Sequence, residues 1–339
     1  MKKLNYFFGA VAMAIAMTMA SCSVEDLPVP DIFDGDDLST AIANHTKIVN
    51  GVPTVDLPAG VSLTMNSVVE LNAPLAINGN AANPAIIKIG PDAKFIGGVL
   101  INNAIIDASE MNSPLITLGT ADQPEWAFIS AGIKNVQILG LKKALIYSGC
   151  KNFDAAIYVE NCRVELAADA TTFDFTKGSF PFVMEIRNST FWAPQATSKS
   201  FFSSQSGQKA AEMGEDALEQ FNFENSTFYN LAKSKNFFTH RQSGQKWLAY
   251  TAKDCIFVNC GKSGQVVRGM NQGQGSANPV WNISGNVFNF DGADTSADES
   301  TGDEEEPVKD SKVVVVNFAD ADNGNFTQSD VKAGDPIWF

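Results

Sequence analysis

Five stretches of the chain repeat one pattern of apolar and polar positions: Ile157-Tyr-Val-Glu-Asn-Cys-Arg-Val164, Met184-Glu-Ile-Arg-Asn-Ser-Thr-Phe191, Phe221-Asn-Phe-Glu-Asn-Ser-Thr-Phe228, Tyr250-Thr-Ala-Lys-Asp-Cys-Ile-Phe257 and Trp281-Asn-Ile-Ser-Gly-Asn-Val-Phe288. Positions one and three are apolar and face inward, as the two-residue alternation of a strand requires. Position five is Asn161, Asn188, Asn225, Asp254 or Gly285, residue types that accept a left-handed backbone, so a tight bend is predicted there. Position eight turns inward again and is mostly phenylalanine. Weaker copies fall at Asn102 (with Ile105) and Asn135 (with Ile138), and successive markers are 33, 26, 27, 37, 29 and 31 residues apart.

A second family of strands interleaves with the first, near Leu115, Leu145, Phe173, Phe201, Phe237 and Val266. No helical period separates the two families, which excludes βαβ units. The spacing predicts a solenoid of parallel strands, one pass per repeat, with stacked asparagines bonding along the axis. Position four reads Glu160, Arg187, Glu224, Lys253, Ser284, so stacking in register sets opposite charges on neighbouring strands. A seven-bladed propeller needs about 40 or more residues per blade, more than several of these intervals supply.

These strands, with Ala73-Pro-Leu-Ala-Ile-Asn-Gly-Asn80, resemble right-handed parallel β-helices of the pectin-lyase type. More narrowly, the chain resembles lipoproteins encoded in bacterial glycan-uptake loci, which also end in Gly-Asp-Pro-x-Trp, here Gly334-Asp-Pro-Ile-Trp338. The resemblance covers residues 45–339. It implies an all-β, pectin-lyase-like solenoid with a short N-terminal cap, and a polysaccharide as ligand.

The ends carry separate instructions. Lys2 and Lys3 precede an apolar run that closes on Met19-Ala20-Ser21-Cys22 and is too short to span a bilayer comfortably. Residues 1–21 are expected to be a signal peptide. The junction resembles a bacterial lipobox, which implies a lipid on Cys22 and anchoring in the outer membrane, at the cell surface rather than on the periplasmic face. An ordinary secretory signal is the alternative. Residues 22–44 then form an acidic tether and a cap, in which Asp36-Asp-Leu-Ser-Thr-Ala-Ile-Ala-Asn44 predicts a short helix. An acidic loop at 291–310 and a C-terminal strand segment complete the expected solenoid.

Composition narrows the chemistry. The net charge of −14 becomes −16 once residues 1–21 are removed, which argues against nucleic acid as partner. Two histidines give no ligand pair, and the signatures of known lyases and hydrolases of this fold are absent. No cofactor is required. Calcium could be drawn to the acidic run or to Asp320-Ala-Asp-Asn-Gly324, but both lack the spacing of a calcium loop.

Two candidate ligand-binding features remain. At the ends of second-family strands, successive passes carry Lys177, the polar Ser204-Gln205, His240-Arg241 and Arg268, a basic column able to grip uronate carboxylates. Trp192 and Tyr229 follow inward phenylalanines, so they face outward on adjacent passes and offer flat rings to sugars. The reading that follows is a lipid-anchored, non-catalytic polysaccharide-binding protein, with outer-membrane glycan-transporter components as further partners. The alternatives are a polysaccharide lyase or glycoside hydrolase, and a surface adhesin. Cys150 with Cys162, and Cys255 with Cys260, are pairs that an oxidising compartment would allow to bridge.

Overall fold

Each first-family strand ends where an asparagine takes a left-handed backbone. Asn135, Asn161, Asn188 and Asn225 have φ between 46° and 54°, and Asp254 and Gly285 occupy the same place at 52° and 68°. The side-chain amides bond from pass to pass: Asn135 donates to Asn103 at 2.9 Å, Asn161 to Asn135 at 3.0 Å and Asn188 to Asn161 at 3.3 Å. The earliest of these bends falls on Asn103 (φ 55°), one residue later than the Asn102 expected from the sequence, so Ile106 rather than Ile105 is the inward residue after it.

The computed structural model describes residues 31–119, 129–149, 154–176, 180–204, 219–235, 237–241, 248–261, 270–271, 280–289 and 312–339. Their strands form one sheet of eighteen and one of eight. The asparagine bends divide the larger sheet into two ladders, called here the first and the second in chain order. Every pairing between passes is parallel; among the described strands the antiparallel pair is Lys47–Val49 with Val52–Asp56, at the N-terminal end. The protein is therefore mostly β, built of long parallel sheets whose strands recur once per pass.

Register decides what fills the interior. In the second ladder one inward row runs Ile138, Val164, Phe191, Phe228, Phe257, Phe288. Its phenylalanines stack, with ring centroids 5.9, 5.0 and 5.3 Å apart and planes within 14° of parallel. Neighbouring strands are about 4.8 Å apart, so identical rings in one row are held close to stacking distance by the backbone itself. Rings at the eight-stranded sheet meet this row edge-on, as Phe173 of strand Phe173–Phe175 does with Phe191, and Phe201, just before strand Phe202–Ser204, does with Phe191 and Phe228. Each fully buried phenylalanine contributes on the order of 1.5–3 kcal/mol in transfer alone.

Both ends of the described body are elaborated. The helix Leu38–His45 is capped by Asp37, whose carboxylate accepts from the N–H groups of Ser39 and Thr40. Leu38 and Ala41 face the core, and residues 34–37 run along the edge of strand Ser62–Met65. At the other end, residues 314–339 cross the outer face of the second ladder.

Candidate functional site

The expected aromatic pair is in register, but Trp192 is buried and Tyr229 half-buried. Trp192 pairs with Tyr229 and then Val258 along the outward row of the second ladder. The C-terminal segment lies over it. Trp192 is 5% exposed, packed edge-on against Phe326, and Tyr229 meets Phe318 and Phe326 while donating its hydroxyl to Asp322 at 3.1 Å. Trp192 is thus covered by the chain's own tail rather than presented to a sugar.

The tail is held by the Gly-Asp-Pro-Ile-Trp motif. Gly334 adopts φ +86° and donates to the Asp254 carbonyl at 2.7 Å; a side chain there would meet the Thr227 hydroxyl at 2.6 Å. The Asp335 N–H donates to the Thr227 hydroxyl, and its carboxylate accepts from Thr190 at 2.8 Å and from the Ile337 N–H at 3.2 Å. The Trp338 indole donates to the same Thr190 oxygen at 2.8 Å. Burial pushes the Asp335 carboxyl up to about 6, against the pull of the Thr190 hydroxyl, the Ile337 N–H and the Arg163 charge. We call this arrangement the clasp. Its partners lie 80 to 148 residues upstream, which is why the sequence did not disclose it.

Of the basic column, Arg241 lies among the described residues. Lys177 and Arg268 lie outside the described residues. Arg241 closes strand Phe238–Arg241 and pairs in register with Asn271. Among the described cysteines, Cys162, Cys255 and Cys260 are free and buried, so Cys255 and Cys260 are not bridged; Cys150 lies outside the described residues. Burial pushes all three thiols up to about 12, which makes them inert packing groups.

The polar face that is open is the outer side of the first ladder. The predicted charge row Glu160, Arg187, Glu224, Lys253 and Ser284 is present in register, and Lys134 extends it by one pass. Lys134 bridges Glu160 at 2.8 Å, and Arg187 sits 3.5 Å from both Glu185 and Glu224. Beside it runs a row the sequence reading did not use, Gly132, Tyr158, Glu185, Asn222, Thr251 and Asn282. It is position two of the same repeat, so the signal was available.

Tyr158 is the aromatic ring of this face and is 41% exposed. On one side stands Gly132, where a Cβ would fall 2.4 Å from the Tyr158 carbonyl oxygen, so the glycine leaves that flank without a side chain. On the other side is Glu185, then Asn222. Partial burial and the Glu185 charge hold the Tyr158 phenol above its ordinary range, which keeps its proton on and makes it a donor rather than a base. The site can therefore stack one sugar ring, donate from a phenol and a guanidinium, and accept on two carboxylates.

Among the described residues no group of three His, Cys, Asp or Glu side chains is placed to hold a metal ion. Asp320 instead accepts from the Asn323 amide on both carboxylate oxygens, at 3.0 and 2.9 Å. The acidic run at 291–310 lies outside the described residues. Comparison with protein families, with curated proteins and with solved structures finds no match to the chain.

Proposed function

We propose that the chain is a right-handed parallel β-helix of the pectin-lyase type, tied to the outer membrane through a lipid on Cys22, which binds an extended polysaccharide without cleaving it. Parallel strands joined in one sheet by successive passes follow right-handed connections almost without exception. The binding face is the outer side of the first ladder. The observation that carries the reading is the exposed Tyr158 ring beside Gly132, in line with Glu185 and Asn222 and next to Arg187. An extended row of polar groups at strand spacing suits a chain ligand better than a small molecule, which would need a closed pocket.

Binding is favoured over turnover on the same face. A lyase needs a base, and the phenol of Tyr158 is pushed in the wrong direction for that role. Arg187 sits between two glutamates, so its guanidinium is held by carboxylates rather than left to act on a substrate proton. A glycan array probed with the purified chain and with Tyr158→Ala tests the proposal. Capture of at least one polysaccharide is expected, weakened about two- to tenfold in the variant, the scale of one ring contact. Ultraviolet absorbance from unsaturated sugar ends should not rise with the captured polymer. A chain that captures no glycan, or that releases such products, removes the reading.

A further inference from the structure

The charge row of the first ladder has a period that selects among polysaccharides. Its sign alternates once per pass: Lys134 plus, Glu160 minus, Arg187 plus, Glu224 minus, Lys253 plus. With strands about 4.8 Å apart, the cations recur every two strands, at about 9.6 Å, and the glutamates fall midway between them. An extended glycan lying across the strands advances by about one sugar per strand spacing. Resting on the glycan-binding reading above, we propose that this face takes an acidic polysaccharide with a carboxylate on every second sugar, in register with Arg187 and Lys253.

The existing ion pairs do not close the site to such a ligand. Arg187 is 45% exposed on its side chain and both of its contacts are long, at 3.5 Å, so a ligand carboxylate can take a glutamate's place at small cost. Arginine offers the paired N–H groups that a carboxylate accepts in bidentate fashion. Lys253 is exposed and makes no ion pair among the described residues. The glutamates supply the selectivity. Opposite Glu160 and Glu224 a neutral sugar donates its hydroxyls to a carboxylate. A uronate in those positions would set like charges side by side, which is the repulsive half of a specific site. Polymers with an acid on every sugar are therefore disfavoured, and neutral polymers leave the cations unanswered.

Isothermal titration of the full chain with three probes of equal length tests this: hyaluronan oligosaccharides, which alternate a uronate with a neutral amino sugar, oligogalacturonate, with an acid on every unit, and a neutral cello-oligosaccharide. The alternating probe should bind at least about tenfold tighter than either of the others. Arg187→Ala combined with Lys253→Ala should remove that advantage. Glu160→Gln combined with Glu224→Gln should bring oligogalacturonate to within a few-fold of the alternating probe. The double variants change exposed (Arg187, Lys253) or half-buried (Glu160, Glu224) surface groups, and matching unfolding midpoints would verify that each folds. Oligogalacturonate or the neutral probe binding as tightly as hyaluronan, or a ratio unmoved by the glutamine pair, overturns the alternating-acid inference and leaves glycan binding standing. No binding of any probe, together with an empty glycan array, overturns both.

Discussion

Up to residue 166 the inward rows are filled mainly by leucine, isoleucine, valine and methionine, and beyond it mainly by phenylalanine; the backbone plan is the same in both halves. Leu63, Ile87, Ile106, Ile138 and Val164 occupy the row that Phe191, Phe228, Phe257 and Phe288 then continue. The bends, the amide ladder and the parallel pairing pass through the change without interruption. The outsides differ with the insides. In the aliphatic half the first ladder's outer row is tied by short polar links, Asp56 to Asn78 and Asn78 to Asn102. In the aromatic half the second ladder is covered by the clasp. Register, then, is held by the bends and the strand pairing, and the side chains that fill a row are free to change along it, as they do from Val164 to Phe191.

The comparison is broken most strongly at Phe228, which touches Phe191, Phe201, Phe223, Phe237 and Phe257. Phe228→Ala should cost about 3–5 kcal/mol, read from the urea midpoint, because the surrounding rings are fixed by their own strands and cannot close the cavity. A loss below about 1 kcal/mol would mean that the stack is not the core of this half.

Next in size is the clasp, confined to the aromatic half. The Asp335 carboxyl titrates near 6 in the folded protein against 3.8 for the free group, so its contribution is present in full below about 3.8 and is lost as the pH rises through about 6. That interval corresponds to roughly 3 kcal/mol. Asp335→Asn should abolish this dependence. Between pH 7 and pH 4 the chain should gain about that much stability relative to the variant, a difference in which the other carboxylates cancel. A flat difference across the interval would show that the buried carboxyl is solvated.

The smallest effect is expected at the element both halves share. Asn161→Ala places an ordinary side chain at φ 54° and removes amide bonds to Asn135 and from Asn188. A cost of about 1–2 kcal/mol is expected from the left-handed backbone alone, and Asn161→Gly should recover most of it. Equal losses for alanine and glycine would assign the effect to the amide ladder rather than to the bend.

How much of this was legible depends on whether the relevant contacts repeat. The bends at Asn161, Asn188 and Asn225 were readable because one backbone requirement recurs beside an inward phenylalanine. The Asn102-Asn103 pair offers two residues of the right type, and the sequence reading chose the wrong one. A second bend ladder escaped notice: Asn230 and Asn259, at φ 60° and 51°, with Asn259 donating to Asn230 at 3.2 Å. Its signal, an asparagine two residues after Phe228 and Phe257, was present in the sequence. The clasp was not readable, since Asp335 meets Thr190 across 145 positions and occurs once. Tyr158 and Glu185 were readable as an outward row, but nothing in the sequence said which outward row the tail would leave uncovered.

One consequence of the amide ladder concerns how such a chain can change length. The amides of Asn135, Asn161 and Asn188 each bond to the counterpart one pass earlier, so excising the residues from Cys162 through Asn188 would set Asn161 beside Asn225, which has the same left-handed backbone, and continue the series of bends. Removing one residue fewer from within a strand would instead rotate the rest of that strand's inward side chains toward water. Gain or loss of whole passes is therefore the natural currency of variation for this architecture, and the alternating charges add a parity condition. Dropping a single pass would set two like signs beside each other, whereas dropping two would preserve the pattern.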